Sequence, residues 1–182
     1  KSACLNAPAK QSLCNMASLK EKYIKTIAPA LKKELGIANI NAVPRVEKIV
    51  LNAGLSLGIK DKSVIDAIAE TLKRISGQKP VATKARKSIS NFKIRQGMDV
   101  GMVVTLRGQR MYDFLEKLVT VTFARVRDFR GVEKKHVDLQ GNLNYGFREH
   151  VAFPEIRSDE IEKLHGLQIT IVTNAKTRDR GL

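Results

Sequence analysis

The chain has 182 residues, with 33 lysines and arginines against 18 aspartates and glutamates, a formal net charge of +15 and 43% hydrophobic residues. That apolar share is typical of a folded domain and excludes a disordered basic tail. No apolar run approaches the roughly 18 residues of a membrane-spanning helix, which excludes a membrane span. A protein this basic is expected to bind a polyanion, most commonly nucleic acid, with an anionic membrane surface as the alternative.

The first 17 residues differ in composition from the rest, because they contain lysine and serine but no acidic residue. We expect residues 1–17 to form a flexible extension, followed by a single domain over 18–182. The two cysteines, Cys4 and Cys14, both fall in the extension. Two cysteines without nearby histidines fit neither a disulfide scaffold nor a zinc site, so we expect reduced thiols and no metal.

Helical spacing of apolar residues predicts three main helices. The first runs from residue 18 to Gly36 and should be kinked at Pro29. The second runs from 61 or 63 to Gly77, the third covers 109–126, and a short helical turn is expected at 158–164.

Alternating or β-branched runs predict strands at 46–51, 100–107, 143–153 and 167–173, with a polar loop at 132–144. The order of elements indicates an α+β fold, with a mainly antiparallel sheet and helices packed on one of its faces. The other face of the sheet and a protruding basic loop would then be available for RNA.

The strongest signal is a stretch from Thr71 to Met98 that contains no acidic residue. Its cations are Lys73, Arg74, Lys79, Lys84, Arg86, Lys87, Lys93 and Arg95. Phe92 lies among them, and periodicity leaves two interpretations open. It is either the tip of a loop that packs on a nucleotide or a core residue of a hairpin.

Polar residues also share one face of the predicted strands. Lys48 and Asn52 alternate with apolar residues in the first strand, as do Thr105 and Arg107 in the second. This face is either an RNA platform or an ordinary solvent-facing sheet surface. Three arginines at the end of the third helix, namely Arg125, Arg127 and Arg130, either bind phosphate or offset the helix dipole.

No pattern indicates catalysis. His136, His150 and His165 are scattered and have no paired acids at metal or triad spacing. An RNA-modifying enzyme would need a convergent acid–base or metal cluster. A membrane-surface protein would need a basic amphipathic helix with bulky apolar anchors, whereas the first helix has a single aromatic residue, Tyr23.

Several segments together resemble the large-subunit ribosomal protein L5 family of bacterial type. They occur in the family's order between residues 18 and 177, at 43–52 (VPRVEKIVLN), 76–80 (SGQKP), 83–88 (TKARKS), 92–97 (FKIRQG), 104–108 (VTLRG), 125–131 (RVRDFRG) and 153–156 (FPEI).

The resemblance implies a non-enzymatic constituent of the large ribosomal subunit without a cofactor, in a bacterium or in an organelle with a bacterial-type ribosome. The family binds 5S rRNA and helps attach it to 23S rRNA in the central protuberance, beside other large-subunit proteins. The positions implied to face 5S rRNA are Lys48, Asn52, Gln78, Thr105 and Arg107.

Two further contacts follow from the same resemblance. The family's tip loop reaches P-site tRNA, and here it would include Lys84, Arg86, Lys87, Ser88 and Phe92. The family also contacts small-subunit protein S13 in an intersubunit bridge, for which the loop at 132–144 is the expected region. Residues 139–146 depart from the family's glycine-rich run, and because the given sequence ends at Leu182 we expect the family's C-terminal helix to be missing.

Overall fold

A computed structural model of the chain describes residues 19–55, 62–127, 129–156 and 164–181, and the structural statements below concern these residues. The chain divides into two units, one up to Val43 and one from Pro44 onward. The predicted extension at 1–17 lies outside the described residues, as does nearly all of the predicted helical turn at 158–164. The predicted division into domains stays a prediction.

The first unit is built on helix α1, which covers residues 19–34 as Leu19–Lys22, a wider π turn at Tyr23–Ile27, and Ala28–Glu34. In the wide turn the N–H of Ala28 donates to the carbonyl of Tyr23. Pro29 follows directly, and a proline ring collides with the carbonyl four residues before it, which accounts for the wider turn. Gly36 adopts a φ of 61° and ends the helix, as predicted.

The second unit contains a five-stranded sheet in the order β2-β3-β1-β5-β4, and every neighbouring pair is antiparallel. The strands are β1 (Val46–Gly54), β2 (Val81–Lys84), β3 (Asp99–Leu106), β4 (Leu143–Phe147) and β5 (Leu167–Thr173). The α+β class and the antiparallel sheet predicted from the sequence are confirmed. β1 is longer than predicted because its alternation continues to Gly54.

The strand predicted at 143–153 was wrong at its C-terminal end. β4 stops at Phe147, and the chain then forms a 3-10 turn at His150–Ala152. The turn directs Phe153 into the core, where its side chain is fully buried. Phe153 therefore reaches the core from a turn rather than from a strand. Composition does not distinguish these two cases, because both bury an apolar residue.

Two long helices cover one face of the sheet. Helix α2 is Lys62–Ser76, and helix α3 covers 108–125 as Gly108–Lys117, a wider turn at Leu118–Thr122, and Phe123–Arg125. A short helix α4, Arg178–Gly181, ends the described chain. Apolar residues of both long helices join those of the strands in one core cluster, whose members include Ile49, Leu51, Val104, Leu106, Ile68, Leu72, Phe114 and Ile169.

Lys117 on helix α3 is partly buried and links this helix to α2 and to the segment after β4. Its Nζ donates to the carbonyl of Ile75 at 2.7 Å and to Oε1 of Glu155 at 2.6 Å. It also lies 5.3 Å from the centre of the Phe114 ring. One ammonium group thus satisfies a carbonyl in the last turn of α2 and holds the segment after β4 against α3.

Candidate nucleic-acid interface

The sheet face opposite the helices, here called the open face, carries a band of uncharged polar side chains. Asn52 on β1 pairs in register with Val103 on one side and Gln168 on the other. One step along, Val50 lies between Thr105 and Thr170. Side chains alternate between faces along a strand, so these residues share the face away from Ile49 and Leu51. The open face therefore offers hydroxyl and amide groups.

Asn52 is exposed and Thr105 is partly exposed, whereas their neighbours Leu51 and Leu106 are buried. The two residues predicted to face RNA are therefore accessible. On the other side of the face, Oγ1 of Thr170 donates to Oδ1 of Asn144 at 2.7 Å, which fixes the orientation of that amide.

One end of the open face is cationic. Lys48 lies next to Ile49 and Arg107 lies next to Leu106, the last pair in the register of β1 with β3 at this end. Arg107 is exposed and extended, with φ −141° and ψ 164°, immediately before helix α3. Gln78 precedes β2, which runs antiparallel to β3, so it lies toward the same end of the sheet. All five residues predicted to face 5S rRNA thus lie on the open face or at its cationic end.

At the opposite end of the open face, β2 and β3 continue into a basic hairpin formed by residues 84–98. The N–H of Ala85 donates to the carbonyl of Met98 at 2.8 Å, and the N–H of Gly97 donates to the carbonyl of Ala85 at 3.0 Å. Further out, Ile89 and Ile94 exchange two backbone hydrogen bonds. The predicted protruding loop is therefore an extension of the sheet, ordered by its own backbone bonds.

Phe92 lies at the tip of the basic hairpin and is 69% exposed. The turn depends on Lys93, which adopts a φ of 54° and donates its N–H to the carbonyl of Ser90. Of the two interpretations of Phe92, the core residue is wrong and the exposed tip is correct. Among the described residues, no ion pair joins a carboxylate to Lys84, Arg86, Lys87, Lys93 or Arg95.

The structure brings Arg125, Arg127 and Arg130 to one cleft of about 690 Å³, together with Arg148. Phe129, Tyr145 and Phe147 line the same cleft. The ring of Phe123 packs against that of Phe129 at 4.9 Å between centres, against Tyr145 at 5.3 Å and against Phe147 at 5.9 Å. The first three arginines were predicted from the sequence. Arg148 was not, because it lies 18 residues from Arg130 in the chain and only the fold brings the two together.

The predicted polar loop at 132–144 contains a 3-10 turn, Lys134–His136, and ends in β4. The ion pair and hydrogen bond from Lys135 lower the pKa of the Glu133 carboxyl. Arg178 donates to the carbonyl of Lys134 at 2.7 Å and so anchors the loop to α4. At its tip Leu139 is 78% exposed.

Two of the histidines form a buried pair beside β5. The rings of His150 and His165 are stacked at 4.0 Å between centres and 13° between planes. The backbone N–H of His165 donates to Nδ1 of His150 at 3.4 Å. Burial lowers the pKa of His150. Within the described ranges, no three histidine, cysteine, aspartate or glutamate side chains converge in a metal-binding group.

No helix in the described part of the chain is long and apolar enough to span a membrane.

Sequence reasoning missed the part of the open face contributed by β5 and β4. Gln168 and Thr170 alternate with the buried Leu167, Ile169 and Ile171, and this alternation was a usable signal. Asn144 gave no such signal, because its place on the face depends on the pairing of β4 with β5.

Comparison with known proteins identifies the family. The family model described as "Ribosomal protein L5" matches residues 39–95, and the one described as "ribosomal L5P family C-terminus" matches residues 99–182. Three curated relatives are each called "Large ribosomal subunit protein uL5". The one from Desulfotalea psychrophila is 51% identical over 91% of this chain and 93% of its own length. The one from Halothermothrix orenii is 52% identical over 89% of this chain and 90% of its own length. The one from Acidobacterium capsulatum is 54% identical over 88% of this chain and 88% of its own length. The chain belongs to the ribosomal protein L5 family, whose members are structural constituents of the large ribosomal subunit.

Proposed function

We propose that this protein binds 5S rRNA through the open face and helps attach it to 23S rRNA in the central protuberance of the large subunit. The observation that carries the proposal is the juxtaposition of uncharged hydrogen-bonding groups on one sheet face with cations at one end of that face. Asn52 and Thr105 lie on the face, and Lys48 and Arg107 lie at its end. The role is structural rather than catalytic.

The chemistry of the open face matches the shallow groove of an RNA helix. That groove displays 2′-hydroxyls and base edges, which both donate and accept hydrogen bonds. Threonine hydroxyls and asparagine amides can do the same and require no fixed charge partner. Lys48 and Arg107 would then contact the phosphates that flank the groove and set the register of the RNA on the sheet.

A salt titration tests this division of labour. The double variant Lys48→Ala/Arg107→Ala removes two phosphate contacts, which should reduce the slope of log affinity for 5S rRNA against log salt by about 1.8. Lys134→Ala/Lys135→Ala removes the same charge from the loop at 132–144 and serves as the matched control. Equal slopes for the two variants would place the RNA elsewhere.

The basic hairpin is the element we assign to P-site tRNA. Its cations, which form no ion pair with the described residues, would contact the tRNA backbone, and exposed Phe92 would pack on a ribose or an unstacked base. Ser88 orders the hairpin, because its Oγ accepts a hydrogen bond from the N–H of Gln96 at 3.0 Å. An ordered hairpin loses little conformational entropy on contact, which suits a transient partner.

Charge reversal separates the hairpin from the open face. Arg86→Glu/Lys87→Glu should leave the binding of 5S rRNA within about twofold, because those residues lie on the far hairpin, but weaken the binding of tRNA to large subunits that carry the variant. Lys134→Glu/Lys135→Glu changes the net charge equally and should leave tRNA binding intact. Loss of 5S rRNA binding in the hairpin variant would refute the assignment.

We assign the loop at 132–144 to small-subunit protein S13. Leu139 supports a protein partner, since a highly exposed aliphatic side chain gains little from RNA but can be buried against another protein. Leu139→Asp should weaken subunit association without changing the affinity for 5S rRNA. Sedimentation of reassociated subunits measures the first effect and filter binding the second. Unchanged association would remove this loop from the bridge.

Arg125, Arg127 and Arg130 are the residues we assign to 23S rRNA. They line the cleft of about 690 Å³, here called the arginine cleft, between the end of helix α3 and residues 145–152, and arginine forks match phosphate oxygens. Triple replacement by glutamine should reduce incorporation into large subunits while the isolated protein still binds 5S rRNA.

A further inference from the structure

The arginine cleft is concave and has an aromatic lining that simple phosphate contacts do not need. Its volume of about 690 Å³ falls in the range of roughly 300–1,000 Å³ that sites for small organic groups occupy. A convex surface with the same arginines would bind an RNA backbone equally well. The cleft therefore indicates a group that inserts.

Phe129 provides a stacking surface at this cleft. Its ring lies nearly parallel to Phe123, at 4.9 Å between centres and 19° between planes, so Phe123 covers one of its faces. Phe129 is nevertheless 40% exposed and lines the cleft. Tyr145 supports it edge-on at 6.4 Å. A stacked aromatic pair whose outer ring is partly exposed is an arrangement on which planar bases can stack.

The charges around the cleft favour an anion beside the planar group. Arg125, Arg127, Arg130 and Arg148 line the cleft, against one described carboxylate, that of Glu149. Among the described residues, none of the four guanidinium groups forms an ion pair. Their hydrogen-bond donors thus remain available for phosphate oxygens.

We infer that the arginine cleft binds a single unpaired nucleotide of ribosomal RNA, with its base stacked on Phe129 and its phosphates held by the surrounding arginines. This inference deepens the proposed function and rests on it. An acidic polypeptide would satisfy the arginines but would leave the aromatic face without a planar partner, so the observations favour RNA.

The chain contains no tryptophan, so a tryptophan introduced by substitution is the only source of tryptophan emission. The full-length Phe129→Trp variant keeps an aromatic ring in place and has a single tryptophan, whose emission a stacked base quenches. The probes are an RNA hairpin with one bulged adenosine, the same hairpin without the bulge, and a deca-glutamate peptide. We expect the bulged hairpin to quench the emission and to bind about tenfold more tightly than the perfect hairpin.

Two substitutions in the otherwise unchanged protein establish where the preference arises. Phe129→Leu should abolish the preference for the bulge, measured by anisotropy of labelled RNA, and Arg130→Gln should weaken binding of the bulged hairpin. Val119→Ala, which shortens an exposed apolar side chain on helix α3, should leave the preference unchanged. Equal affinity for the two hairpins, or equal loss in Val119→Ala, would overturn the inference, as would binding of deca-glutamate as tight as that of the bulged RNA.

Retention of 5S rRNA by the same proteins separates this inference from the proposed function. Phe129→Leu should bind 5S rRNA like the unmodified protein, because the open face is untouched. If the unmodified protein failed to bind 5S rRNA, the proposed function would fall whatever the bulge preference. If it bound 5S rRNA but showed no bulge preference, only the cleft assignment would fall.

Discussion

Replacing Thr105 by valine is the most direct test of the open face. The two side chains have nearly the same shape, and valine favours β-strands, so the substitution removes little besides a hydroxyl group. In the structure Thr105 pairs through its backbone with Val50, and its Oγ1 forms no hydrogen bond with the described residues. The folded protein therefore loses no internal bond.

The expected magnitude follows from that isolation. With no internal bond lost, the free energy of unfolding should stay within about 0.5 kcal/mol of the unmodified value. The complex, in contrast, would lose one hydrogen bond and leave an RNA group unpaired, which costs about 1–2 kcal/mol. Since 1.4 kcal/mol corresponds to a factor of ten, the dissociation constant for 5S rRNA should rise about five- to thirtyfold.

The assay is filter binding or fluorescence anisotropy with 5S rRNA at a fixed salt concentration, with thermal unfolding measured on the same preparations. Thr120→Val is the matched control, because Thr120 is exposed on helix α3 in the layer that covers the other sheet face, where its hydroxyl donates to the carbonyl of Glu116. The control should bind 5S rRNA normally. An unchanged affinity in Thr105→Val, with the fold intact, would refute the contact and move the interface away from β3.

Three further predictions concern stability. Lys117→Met should lower the free energy of unfolding by about 2 kcal/mol, because Glu155 and the carbonyl of Ile75 both lose their hydrogen-bond donor. Chemical denaturation measures the free energy of unfolding, which Lys73→Met, at an exposed position, should change little. Because burial lowers the pKa of His150, the unfolded chain takes up its proton more readily than the folded one, and stability is lost as pH falls through the ordinary value of 6.5. Melting temperatures between pH 7.5 and 5.5 should therefore fall less steeply in His150→Phe than in the unmodified protein, and parallel curves would exclude this histidine as a cause. Gly141→Ala should destabilise the protein by roughly 1–3 kcal/mol, because Gly141 has a φ of 79° and an added Cβ would lie 2.7 Å from the Cβ of Ala175. Gly36 has a similar φ but open space around it. Comparing the melting curves of Gly36→Ala and Gly141→Ala therefore separates the effect of backbone strain from that of the collision.

Local patterns in the sequence were sufficient for most of the elements and for part of the interface, although strand β2 at Val81–Lys84 was not predicted. The alternation of Val104 and Leu106 with Thr105 predicted both the strand and its polar face, because side-chain direction along a strand has a period of two. The glycines Gly36 and Gly77 predicted helix ends, because both adopt a positive φ that other residues avoid. The basic character of the hairpin could be predicted because the absence of acidic residues over a long segment can be seen in the sequence without knowledge of tertiary contacts.

Only the tertiary structure decided which distant residues act together. The strand order β2-β3-β1-β5-β4 puts Gln168 beside Asn52, although 116 positions separate them in the chain. The arginine cleft likewise combines the end of helix α3 with residues that follow β4. Pairing across such separations depends on register and on packing over the whole core, and these are properties of the complete chain rather than of any local segment.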